Sequence, residues 1–137
     1  MTDWQSLWSA LMTQANGEST VHETIFENRF GYMLYLQKMG AKVELFSPAV
    51  SDTANFYNFD WNSESAKYFH AAKIVGPTKL KGTDLEVTDI RAGATLVFAA
   101  LMAEGESKLS GIEHIERGYE NLEGRLSRLG ARIRKVD

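Results

Sequence analysis

The chain has 137 residues, about the length of one domain with a buried core. With 44% hydrophobic residues, 24% charged residues and a net charge of -3, it has the composition of a soluble globular protein, without the basic excess that nucleic-acid binding requires. The absence of cysteine excludes disulfides, thiolate metal sites and a cysteine nucleophile within this sequence.

No segment of the sequence is predicted to direct the chain to a membrane. The first residues, Met-Thr-Asp-Trp-Gln, lack the basic start and apolar core of a signal peptide. The longest apolar run, residues 96–103, is far shorter than the roughly 20 residues of a membrane-spanning helix. We therefore expect a cytoplasmic protein.

The first third of the sequence predicts helix, strand, helix and strand. Apolar residues at steps of three and four predict an amphipathic helix that ends near Gly17: Trp4, Leu7, Trp8, Leu11, Met12 and Ala15. Thr2 or Asp3 stands where this helix would be capped, and a carboxylate there accepts backbone N–H bonds. A strand is predicted over residues 19–26, a helix over 30–39 and a strand over 42–46.

Residues 47–70 interrupt this pattern. The part up to Tyr68 is rich in Ser, Asp and Asn but contains five aromatic residues: Phe56, Tyr57, Phe59, Trp61 and Tyr68. We interpret the segment as an irregular surface insertion held down by aromatics, since base stacking would require interleaved Lys or Arg. His22, His70 and His114 have no partner at ligand spacing, so no metal site is predicted.

The last part of the chain predicts a similar alternation. Strands near residues 72–76 and 85–88 precede an apolar segment, 91–103, that predicts a helix buried on every side. A strand over 109–115, a helix over 119–129 and a strand over 131–136 follow. Asp89 and Arg91 stand at the start of the apolar helix, where charges are costly unless paired or used. A cap with a salt bridge and a functional role both remain open.

Two copies of one unit explain this order of elements. Thr2-Asp3 returns as Thr88-Asp89, Arg29 returns as Arg117, and the offset between equivalent residues grows from 86 to 90. Gly-Glu-Ser and Gly-Ala landmarks also recur in order. The copies span about residues 2–46 and 88–136 of one α/β domain. An acid beside a guanidinium suits an anionic substrate from which a proton must be moved.

Four segments resemble the carboxyl-terminal part of the UDP-N-acetylglucosamine enolpyruvyl transferases (1-carboxyvinyltransferases). In one-letter code they are ETIFENRF (23–30), KMGA (38–41), TDIRA (88–92) and HIERGYE (114–120). The resemblance covers nearly the whole chain except residues 47–70. The shikimate-pathway enolpyruvyl transferases share the fold but do not usually carry the wording FENRF and RGYE.

The resemblance implies an α/β fold of two inside-out barrels, each built from three βαβαββ units around buried central helices. The internal repeat would then be two neighbouring units of the second barrel. The implied reaction transfers the enolpyruvyl group of phosphoenolpyruvate to the 3′-hydroxyl of UDP-N-acetylglucosamine and releases phosphate. It is the first committed step of peptidoglycan synthesis. It needs no cofactor, and it involves neither nucleic acid nor a membrane.

On the acceptor side, the resemblance assigns roles to three residues. Asp3 matches the aspartate that contacts the sugar 3′-hydroxyl and moves its proton. Ile25 matches a position whose main chain holds the nucleotide sugar, and Phe26 lines the pocket beside it.

On the side of the transferred group, Asp89 and Arg91 match an acid–base pair that borders the active site. Arg117 matches the arginine that engages phosphoenolpyruvate, where a guanidinium can fork onto carboxylate or phosphate oxygens. Arg29 is assigned mainly to structure. Ile90 stands where the family more often has Leu.

The family's amino-terminal barrel, with a substrate-binding lysine and a mobile loop bearing a reactive cysteine or aspartate, has no counterpart in this sequence. We therefore expect a carboxyl-terminal fragment that carries one wall of the active site and is inactive alone. Its unpaired strand edges would favour self-association. The alternatives are a fragment of a shikimate-pathway relative and a non-catalytic binding or assembly module.

Overall fold

The computed structural model describes residues 2–136, in which helices and strands alternate. The first elements are a 3-10 turn at Thr2–Trp4, α1 Gln5–Met12, β1 Gly17–His22, α2 Gly31–Lys38 and β2 Lys42–Phe46. The central elements are α3 Thr53–Phe56, a 3-10 turn at Ser65–Lys67 and β3 Ala71–Gly76. The last elements are β4 Asp84–Glu86, α4 Ile90–Met102, β5 Lys108–Ser110, α5 Glu113–Glu116 and α6 Leu122–Arg128.

The strands form two small sheets. β3 lies between β1 and β2 and is antiparallel to both, with Ala72 opposite Val21 on one side and Leu45 on the other. β4 and β5 form a parallel pair, with Leu85 opposite Leu109. Parallel strands need a crossover connection, and α4 supplies it.

The main core lies between the three-stranded sheet and helices α2 and α4. Its fully buried members include Met33, Leu36, Met39, Ile74 and Leu96. A smaller cluster joins α4 to the last two helices through Val87, Val97, Ile115 and Leu126. This second cluster holds the start of α4 close to α5.

The prediction that the apolar helix is buried on every side is wrong. Phe98 and Leu101 of α4 are exposed, as are Trp4 and Trp8 near the start of the chain and Leu11 of α1. No described element covers these side chains. An all-apolar sequence does not show which of its faces will meet a neighbour.

The strand predicted over residues 109–115 is also wrong in its second half. β5 ends at Ser110, and Gly111 follows with a positive φ of 71°. Residues 113–116 form α5, in which the Glu116 N–H donates to the Ile112 carbonyl at 3.0 Å. Gly permits that left-handed turn, which changes the direction of the chain.

The last two predicted elements, the helix over 119–129 and the strand over 131–136, also differ from the structure. α6 begins at Leu122 because Asn121 adopts a left-handed conformation and its side chain accepts the Gly124 N–H at 3.2 Å. Residues 131–136 form no strand. A strand requires a hydrogen-bonded neighbour, and within residues 2–136 the second sheet contains only β4 and β5.

Aromatic side chains pack together in the irregular segment after β2. The Tyr57 and Trp61 rings stack at 4.7 Å, and the buried His70 ring packs against both of them. The Tyr57 hydroxyl lies 3.0 Å from His22 Nε2. These contacts hold the segment against β1.

None of the helices in the described part of the chain is both long and apolar enough to cross a bilayer.

Candidate functional site

Asp3 and Arg91, which belong to the two Thr-Asp segments of the predicted repeat, are in contact. Arg91 Nε donates to Asp3 Oδ1 at 3.0 Å, with the two side chains 50% and 70% exposed respectively. Asp89 Oδ1 accepts the backbone N–H groups of Arg91 and Ala92 at 2.9 and 3.0 Å, which caps α4. The cap fixes the first turn of α4, and Arg91 extends from that turn to Asp3.

The expectation that Asp3 caps the first helix is wrong. Asp3 lies within the 3-10 turn, and the residue at the cap position of α1 is Trp4, which makes no side-chain cap bond. The 3-10 turn moves the helix start one residue along the chain, and the Asp3 carboxylate pairs with Arg91 instead.

Arg29, which the sequence assigned mainly to structure, belongs to this cluster. Its Cζ lies 4.1 Å from the Phe26 ring centre, and its Nη2 lies 3.9 Å from Asp3 Oδ1. The side chain is only 13% exposed, and Nη2 is buried without a hydrogen-bond partner among residues 2–136. The repeat contained a signal for this role, since it makes Arg29 the equivalent of Arg117.

Glu23 shapes the segment that carries Ile25 and Phe26, and the motifs gave it no role. Its Oε1 accepts the N–H of Ile25 at 2.7 Å and that of Phe26 at 3.3 Å, while Oε2 accepts the Thr2 hydroxyl at 2.7 Å. These bonds explain why β1 ends at His22 and not at the predicted Phe26. A nearby side chain competes for backbone N–H groups that a longer strand would use.

Arg117 is joined to the start of α4 only through the packing of its neighbour in the chain, Gly118. It follows α5 directly, and the next residue, Gly118, packs on Ile90 between Asp89 and Arg91. A Cβ on Gly118 would lie 1.8 Å from Ile90 Cδ1, so glycine permits this approach. The exposed Arg117 side chain has no ion-pair partner in the part of the chain that the structure describes.

A groove of about 460 Å³ adjoins the cluster, between α1, β1 and the segment that follows β1. Trp4 and Trp8 line one side, and His22, Glu23 and Ile25 line the other. Burial and the neighbouring His70 lower the pKa of His22 below its ordinary value of 6.5, against a smaller opposite effect of Glu23. The imidazole is therefore neutral near pH 7.

The cluster combines groups that can bind an anion with one that can move a proton. Arg29 and Arg91 flank the Asp3 carboxylate, and guanidinium groups bind carboxylates and phosphates through paired N–H donors. An exposed carboxylate can accept a proton from a hydroxyl within hydrogen-bond reach. Residues 2–136 contain no group of three or more His, Cys, Asp or Glu side chains arranged to hold a metal ion.

Comparison with known protein families shows the family to which the chain belongs. The family model described as EPSP synthase (3-phosphoshikimate 1-carboxyvinyltransferase) matches residues 1–126. The chain belongs to the EPSP synthase family. Its members are enolpyruvyl transferases, so the resemblance drawn from the four motifs is confirmed.

Curated relatives carry a more specific name. The chain is 41% identical over 137 residues to the UDP-N-acetylglucosamine 1-carboxyvinyltransferase of Protochlamydia amoebophila, matching all of this chain and 28% of that protein. It is 44% identical over 135 residues to UDP-N-acetylglucosamine 1-carboxyvinyltransferase 2 of Symbiobacterium thermophilum, covering 98% of this chain and 27% of that one. The chain thus spans less than a third of the length of these relatives.

A solved structure supports the fold prediction. The crystal structure of the enolpyruvyl transferase NikO from Streptomyces tendae matches 99% of this chain and 27% of that protein, with a TM-score of 0.75 and 30% identity. The predicted fold class, α/β units of the inside-out barrel of enolpyruvyl transferases, is confirmed for this part of the barrel.

Proposed function

We propose that this chain contributes part of the active site of a UDP-N-acetylglucosamine 1-carboxyvinyltransferase. The reaction transfers the enolpyruvyl group of phosphoenolpyruvate to the 3′-hydroxyl of the sugar nucleotide and releases phosphate, as a step of peptidoglycan synthesis. The observation that carries the proposal is the 3.0 Å contact between Asp3 and Arg91, with Arg29 beside it. Because the matches cover under a third of the relatives, we propose that the chain supplies one wall of the site.

The roles proposed for the individual residues are those that the family resemblance implies. Asp3, exposed on the 3-10 turn, accepts the proton of the attacking hydroxyl. The Ile25 main chain and the Phe26 ring hold the sugar nucleotide. Arg91, which donates to Asp3, and Arg117 bind the carboxylate and phosphate of phosphoenolpyruvate, and Asp89 holds the helix turn that presents Arg91.

The partners and location belong to the same proposal. The two substrates are small cytoplasmic molecules, so we place the chain in the cytoplasm with the remainder of the active site as its partner. β1 is an edge strand of its sheet, and no other strand within residues 2–136 pairs with its free edge. Such an edge supports self-association of the isolated chain.

A second acceptor must be considered because the matching family model is described by 3-phosphoshikimate. Isothermal titration calorimetry of the chain with UDP-N-acetylglucosamine and with 3-phosphoshikimate separates the two. We expect heat of binding only with the sugar nucleotide, reduced at least about tenfold in affinity by Asp3→Asn. Binding of 3-phosphoshikimate alone would contradict the proposal, and binding of neither would favour the non-catalytic module.

A further inference from the structure

Glu23 joins the two segments that carry the acceptor side of the site. The side chain is 3% exposed, and its carboxylate reaches Thr2 on one side and the Ile25–Phe26 backbone on the other. Thr2 immediately precedes Asp3. One buried carboxylate therefore contacts both the residue before Asp3 and the main chain of Ile25.

The Glu23 backbone is itself anchored to the central strand region. Its N–H donates to the His70 carbonyl at 2.9 Å, directly beyond the β1–β3 pairing of His22 with Ala71. The side chain thus extends from the end of a paired strand and not from a free loop. A group fixed in this way can hold other segments in place.

The three groups that contact the Glu23 side chain suit a carboxylate. An ionised carboxylate only accepts hydrogen bonds, and the Thr2 hydroxyl and the two backbone N–H groups are all donors here. A glutamine could reproduce the pattern, since its oxygen can accept both N–H groups and its NH₂ can donate to a reoriented Thr2 hydroxyl. An apolar side chain could reproduce none of it.

We propose that Glu23 is a positioning residue that sets Asp3 and the Ile25–Phe26 main chain at one fixed separation. The proposal rests on the proposed function in so far as both segments then contact the same sugar nucleotide. Glu23 does not touch the reacting groups, and it acts through Thr2 and through the backbone that it holds.

Two pairs of variants test this role. Thr2→Val and Glu23→Met remove the hydrogen bond between Thr2 and Glu23. Thr2→Ser and Glu23→Gln preserve it. Glu106→Met changes an exposed carboxylate elsewhere as a control. Amide exchange and resonance positions of Ile25 and Phe26, together with the Arg91 Nε–H resonance, are measured by NMR. Affinity for UDP-N-acetylglucosamine and the melting temperature are measured in parallel.

Thr2 contacts one carboxylate oxygen of Glu23, and the Ile25 and Phe26 amides contact the other. We expect Thr2→Val to shift the resonances of these two amides. We also expect it to weaken UDP-N-acetylglucosamine binding about tenfold. Thr2→Ser and Glu23→Gln should remain close to the unmodified chain. If Glu23→Met does not fold, the two Thr2 variants still decide the result.

Unchanged Ile25 and Phe26 amides in Thr2→Val would overturn the inference, as would equal sugar-nucleotide affinity in Thr2→Val and Thr2→Ser. If the unmodified chain binds no UDP-N-acetylglucosamine, the proposed function fails. The positioning role is then still decided by the ligand-free amide resonances.

Discussion

Asp3 illustrates how a single carboxylate can suit two roles in a sequence, of which the fold excludes the helix cap. From the sequence it could cap a helix or take part in chemistry. In the structure its oxygen faces the guanidinium groups of Arg91 and Arg29. Both Asp3 and Arg91 are largely exposed, and ion pairs of that kind contribute little to stability. The pair is therefore accessible to a ligand at small cost to folding.

A double-mutant cycle on Asp3→Asn and Arg91→Gln tests this interpretation. We expect a coupling of less than about 1 kcal/mol in the free energy of unfolding, because both side chains remain hydrated. Urea denaturation of the four proteins measures it, and the exposed pair Lys73–Glu18 provides a matched control. A coupling of several kcal/mol would show that the pair is mainly structural.

His22 should make stability depend on pH. Its folded-state pKa lies below 6.5, chiefly because of burial, so the unfolded chain takes up a proton at a higher pH than the folded chain does. The free energy of unfolding should therefore be fully retained above about pH 6.5 and should fall as the pH is lowered beyond that value.

Thermal melts between pH 7 and pH 5 measure the effect of His22. The variant His22→Gln should show a shallower loss of stability on acidification than the unmodified chain. His114→Gln serves as the control for removing a histidine elsewhere. Equal slopes for His22→Gln and the unmodified chain would contradict the account.

At the scale of elements, the sequence predicted best those helices and strands that a local pattern of apolar residues determines. The periodicity of α2, the apolar run of α4 and the alternation of β2 predicted these elements with small errors at their ends, whereas α1 ends at Met12 and not near the predicted Gly17. The carboxyl-terminal elements were less predictable, because a strand exists only where another strand pairs with it. Gly111 and Asn121, each with positive φ, change the chain direction at points that periodicity does not identify.

The sequence predicted only some of the residues of the candidate site. The motifs selected Asp3, Asp89 and Arg91, which the fold brings together, but they could not show the contacts of Glu23 and Arg29. Thr2 and Glu23 are 21 residues apart, and such contacts arise from tertiary packing. The functional roles of all the site residues remain predictions: Asp3, Ile25, Phe26, Asp89, Arg91 and Arg117.

Asp89 gives the clearest prediction for a single element. Its side chain accepts two backbone N–H groups at the start of α4, so Asp89→Ala should lower the free energy of unfolding by about 0.5–2 kcal/mol. Asp89→Ser should recover most of the loss, because serine is also a good N-cap. Urea denaturation measures both, and an alanine variant as stable as the unmodified chain would count against the cap.

At the scale of the whole molecule, residues from both halves of the chain lie around one end of α1 and α4. Asp3 and Arg91 are in contact there, and Gly118, the residue after Arg117, packs on Ile90 at the same end. The exposed side chains Trp8, Leu11 and Phe98 lie farther along these two helices. The Asp3–Arg91 pair thus lies at the helix starts, apart from the main core.

The most direct test of this arrangement is a two-dimensional amide NMR titration of the isotopically labelled chain with UDP-N-acetylglucosamine. The account predicts dispersed peaks and shifts that concentrate at Asp3, at Ile25 and Phe26, and at the start of α4. Subsequent addition of phosphoenolpyruvate should extend the shifts to Arg117. A dispersed spectrum that does not respond to the sugar nucleotide, or responds only at residues remote from Asp3, would contradict it.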